Sequence, residues 1–158
     1  METKKKELLE ELKEKFESTK QELGFKASFD DLNKVFFIED SVLSTGFVSE
    51  NYSRQLCSRI VDTFMNWNNY LHSLIMPIPN NMINMNESKM FDEAERKEML
   101  SLMSASMALT STNMVNGLTK DKVGEGKFVD EAVKFWNERF KPGVEKIVRK
   151  INENWKSK

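Results

Sequence analysis

The chain has 158 residues and is 31% charged, yet its acidic and basic side chains nearly cancel, leaving a net charge of −1. So even a balance supplies no field to draw in nucleic acid or an anionic membrane, and no stretch approaches the ~18 apolar residues of a membrane span. The single cysteine, Cys57, excludes an internal disulfide and fits a reducing compartment. The polar start at Met1–Lys6 has no apolar run behind it of the kind a signal peptide needs, so a cytoplasmic protein is expected. A chain of this length buries roughly 68–70% of its unfolded surface as one domain, here 1–158.

The first pattern, about 3–23, is a charged helix with a narrow apolar stripe of Leu8, Leu9, Leu12, Phe16 and Leu23, stopped by Gly24. So narrow a stripe packs along one seam, against the rest of the chain or against a second chain. Ser28 with Asp31 has the spacing of a capping box and opens a helix over about 28–44, with Phe29, Leu32, Phe36 and Leu43 on one face. Val35–Ile38 would also suit a buried strand, but no second strand candidate exists to pair with it.

The longest pattern runs over about 49–76. Tyr52, Leu56, Ile60, Phe64, Trp67, Leu71 and Leu74 recur at spacings of three and four, Ser49 offers an N-cap, and Pro77 with Pro79 ends the run. The next stretch, Pro77–Asn86, reads as non-helical although it carries Ile78, Met82, Ile83 and Met85. It is expected to fold over one end of the helices, with a lid or docking surface as the alternative.

Asp92 with Glu95 repeats the capping-box spacing and starts a helix over about 92–116, closed by Gly117. Thr119–Gly126 reads as a polar, glycine-containing turn. The last helix, about 127–155, carries Val129, Ala132, Trp136, Phe140, Val144, Ile147, Ile151 and Trp155 in one phase. That phase survives Pro142, so one helix kinked near 142 is preferred over two.

These elements predict an all-α protein, an up-and-down antiparallel four-helix bundle of long helices plus one shorter helix. In layout, and in an Asn-, Lys- and Met-rich composition, the chain resembles small uncharacterised archaeal four-helix-bundle proteins. That resemblance implies a fold and no function.

Catalytic constellations are incomplete. Di-metal bundles use paired Glu-x-x-His motifs, but the only histidine, His72, has Asn69 at the third position before it. One Cys and one His cannot make a zinc set, and no cofactor or metal is expected. Glu10, Glu11 and Glu14 resemble the first half of the magnesium motif of all-α nucleotide pyrophosphohydrolases, but the second half is missing. Cys57 and His72 lie about 22 Å apart along one helix, too far to act as a pair. Met99, Met103, Met107 and Met114 read as core rather than as a copper site.

Two polar sets remain. On the long helix, Arg54 and His72 flank the apolar stripe on one side and Arg59 on the other. On the following helix, Ser106, Thr110 and Asn113 fall inside the apolar stripe, where an unsatisfied polar group costs about 1–3 kcal/mol. Ser106 and Thr110 can bond carbonyls one turn back, whereas Asn113 needs another partner. The leading expectation is a non-enzymatic module acting through protein association as a homodimer, with no nucleic acid and no membrane. The alternative is a small-molecule binder or enzyme with a pocket between helices, lined by Arg54, Arg59, His72, Ser106, Thr110 and Asn113.

Overall fold

The computed structural model describes residues 1–158 and is all-α, without a strand. No helix is long and apolar enough to cross a membrane. The elements are α1 (Glu2–Leu23), α2 (Phe29–Phe36), α3 (Ile38–Thr45), α4 (Tyr52–Ile75), α5 (Met82–Ser88), α6 (Glu93–Thr119), α7 (Lys122–Phe135), a π-helical turn (Trp136–Phe140) and α8 (Lys141–Lys156). The chain forms two compact units: unit 1 is Met1–Thr63 with Leu109–Lys134, and unit 2 is Phe64–Ala108 with Phe135–Lys158. Helices α4 and α6 contribute one part to each.

In unit 1, α1 buries Leu12, Phe16 and Leu23 and ends at Gly24, whose φ of 74° is left-handed. Phe16 meets Phe25 and Phe29 edge-on, with ring centroids 5.6 and 5.2 Å away. The Asp130 carboxylate accepts the backbone N–H groups of Lys26 and Ala27, which fastens the segment after α1 to α7. The Ser28–Asp31 capping box forms in both directions.

The single helix expected over 28–44 is broken. Phe37 sits in the left-handed region at φ 53°, ending α2 and starting α3. For a bulky side chain this conformation costs about 1–2 kcal/mol. Two side chains hold it: Asn33 Oδ1 accepts the Glu39 N–H, and Arg59 Nε donates to the Phe36 carbonyl at 2.6 Å.

The junction between α6 and α7 also differs from expectation. Gly117 lies inside α6, which runs on to Thr119, and Lys120 at φ 55° makes the left-handed stop instead. The stretch read as a turn, Thr119–Gly126, is helical from Lys122, because Asp121 accepts the Gly124 N–H at 2.9 Å and caps α7. Gly126 is buried with its backbone against the Leu23 carbonyl, so close that a Cβ would overlap it.

In unit 2, Phe64 is fully buried against Phe135, Trp136 and Phe140. The helical run continues from α7 through the π turn into α8, and the Lys141 N–H bonds the Trp136 carbonyl five residues back. Pro142 has no N–H to give a helical bond, and the wider π register falls immediately before it. The Asp92–Glu95 capping box forms, and both Glu95 oxygens also accept from Lys150 Nζ at 2.7 Å.

The segment expected to be non-helical, Pro77–Asn86, is helical from Met82, with Asn81 Oδ1 capping the Asn84 N–H. Its apolar residues do not fold inward: Ile78, Met82, Ile83 and Met85 are exposed, whereas Asn84 and Ser88 are buried. Those two polar side chains bond the Ser73 and Leu74 carbonyls at the end of α4, where a helix leaves its carbonyls unpaired.

Two measurements check this reading. Gly126→Ala is expected to cost about 1–3 kcal/mol in urea unfolding, as overpacking does. Lysine pairing and the Asp92 N–H hold the Glu95 carboxyl below its ordinary 4.5. A lowered native pKa adds stability above the unfolded value that is lost as pH falls through the native one. Wild type should therefore exceed Glu95→Gln in stability at pH 7, and the gap should close towards pH 3.

Candidate functional site

Helix α6 carries no charged residue from Met99 to Thr119. What distinguishes its two sides is where its polar groups lie. Ser106, Thr110, Asn113 and Asn116 are buried, while Leu100, Met107, Met114, Val115 and Leu118 are exposed.

In unit 2 the inward side meets α4 at a buried pair. Asn68 Nδ2 donates to Ser106 Oγ at 2.6 Å, and Ser106 Oγ donates onward to the Met103 carbonyl at 2.8 Å. In unit 1 it meets a larger cluster from α4 and α7. Arg54 Nη1 donates to Asn113 Oδ1 at 3.2 Å and lies 3.9 Å from the carboxylate of Glu125, which is only 1% exposed. Lys122 Nζ stands 3.7 Å from the same carboxylate and donates to Ser53 Oγ at 3.2 Å. Two cations thus face one buried carboxylate, which lowers the cost of holding that charge away from water. Gly117 explains how the guanidinium fits: a Cβ there would stand 2.6 Å from Arg54 Nη2.

Of the six residues expected to line one pocket, the structure brings Arg54 and Asn113 together in unit 1. Arg59 belongs to the Phe36 carbonyl, and His72 is exposed. Ser106 pairs with Asn68 in unit 2. Thr110 is buried, but its hydroxyl does not return to a carbonyl one turn back; it has no hydrogen-bond partner. Buried atoms of Tyr52, Asn116 and Glu125 in unit 1 also lack one. Glu125, Lys122, Ser53 and Asn116 were not anticipated; Lys122 and Glu125 fall in the Thr119–Gly126 stretch read as a turn. The methionine series was expected in the core; Met99 is there, whereas Met107 and Met114 are exposed.

The arrangement offers little to nucleophilic or metal chemistry. Cys57 is fully buried, and burial, with the Glu125 charge adding to it, pushes its thiol up to about 12. No three His, Cys, Asp or Glu side chains gather as a metal site. The cluster's evident work is orientation. It holds Asn113 of α6 inward, with Met114, Val115 and Leu118 turned out.

Removing the amide should show this. Asn113→Ala is expected to lose about 1–3 kcal/mol in chemical denaturation, because the Arg54 bond goes. Asn113→Leu should lose as much; a gain in stability would instead mark the amide as part of a ligand pocket. Arg54→Met, which strips one of two cations from a buried carboxylate and the Asn113 bond with it, should cost on the order of 3 kcal/mol.

Comparison with protein-family models, with curated proteins and with solved structures gives no match, so the function rests on the chemistry of this helix and its neighbours.

Proposed function

We propose that this protein is a non-enzymatic association module whose docking face is the outward side of α6. One observation carries the reading: a helix that is uncharged from Met99 to Thr119 buries Ser106, Thr110, Asn113 and Asn116 yet exposes Leu100, Met107, Met114, Val115 and Leu118. An exposed run of large apolar side chains is what protein contact sites present, and charge is depleted at the centre of such contacts. Exposed Met82, Ile83 and Met85 on α5 give unit 2 a second apolar surface of the same kind.

The test is Met114→Lys/Leu118→Lys. Both positions are exposed, so far-UV circular dichroism should be unchanged and stability should stay within about 0.5 kcal/mol of wild type. Association, read by light scattering at high micromolar concentration and by capture on immobilised protein, should be lost. A wild type that is strictly monomeric and captures nothing the variant misses would overturn the reading.

A second reading has a specific observation behind it. Tyr52 Oη, Thr110 Oγ1, Asn116 Nδ2 and Glu125 Oε2 are buried in unit 1 without a hydrogen-bond partner, the kind of group a small polar ligand would answer. A thermal-shift screen of nucleotides and cofactors decides it, since a ligand at 100 times its Kd adds roughly 2.7 kcal/mol.

A further inference from the structure

Taken at alternating spacings of four and three, the outward side of α6 reads Leu100, Ser104, Met107, Ser111, Met114, Leu118, and all six are exposed. This is the spacing of a coiled-coil seam. The order of sizes is its own mirror complement about Leu109. Run against a second copy in the opposite direction, Leu100 meets Leu118, Ser104 meets Met114, and Met107 meets Ser111. Each methionine then faces a serine, so every inner layer holds one large and one small side chain. A parallel pairing would set serine on serine and methionine on methionine, alternating gaps with crowding.

We infer that the partner of α6 is a second copy of this chain, paired antiparallel across a two-fold axis at Leu109. This rests on the proposed docking role of α6 and names its occupant. Such a contact is isologous: the same patch serves both copies and closes the assembly at two. The seam is about 27 Å long and one helix wide. Its area falls at the small end for specific interfaces, roughly 1,000 Å² in total. A reversible dimer with a micromolar dissociation constant is therefore expected.

Nitroxide labels on Thr112→Cys and Thr119→Cys in the full chain test the register; Cys57 is fully buried and does not compete for the label. Antiparallel pairing predicts axial separations of about 9 Å for the Thr112 labels and about 30 Å for the Thr119 labels. That contrast, with coupling abolished in the Met114→Lys/Leu118→Lys background, supports the inference. Equal short separations at both sites, near the 8–10 Å between packed helices, mean parallel pairing and overturn it. Uncoupled spins at high micromolar concentration also overturn it. The association role then stands or falls separately, on whether the wild type captures a different protein that the double-lysine variant does not.

Discussion

Two long-range hydrogen bonds inside the protein decide how α6 is set. An amide or hydroxyl buried without a partner costs about 1–3 kcal/mol, as much as burying one leucine or methionine gains. Ser106 is answered by Asn68, and Asn113 by Arg54. Once those bonds form, the rotation of α6 about its axis is decided, and Leu100, Met107, Met114 and Leu118 have nowhere to go but outward.

The same preference recurs on α5. Asn84 and Ser88 turn inward because the last carbonyls of α4 need donors, and Met82, Ile83 and Met85 are left in solvent. On both helices, then, polar side chains are buried while large apolar ones stay in solvent.

Glycine and charge make the unit 1 cluster possible. Gly117 leaves room for the Arg54 guanidinium beside α6, and Gly126 lets α7 approach the end of α1. With α7 that close, Glu125 is buried and must be answered, and Arg54 and Lys122 supply the two cations. The thiol of Cys57 is kept neutral in the same surroundings, chiefly by burial. What reads in the sequence as dispersed charge is therefore partly an interior network.

Much of the helical layout was legible in the chain itself. Apolar spacing marked α1 and α4, and short-range chemistry marked helix ends: Gly24, the Ser28–Asp31 box and the Asp92–Glu95 box that opens α6 all involve residues within a few positions of one another. Where a boundary depended on a distant residue, it was not legible. The break at Phe37 leans on Arg59, whereas the start of α7 is capped locally by Asp121 and was hidden only by the glycines around it. The direction in which α6 faces was hidden as the Phe37 break was. Its polarity is nearly even all round, so periodicity gives it no inside. Only Asn68 and Arg54, 38 and 59 residues away along the chain, decide that Ser106 and Asn113 point in and that Met107 and Met114 point out.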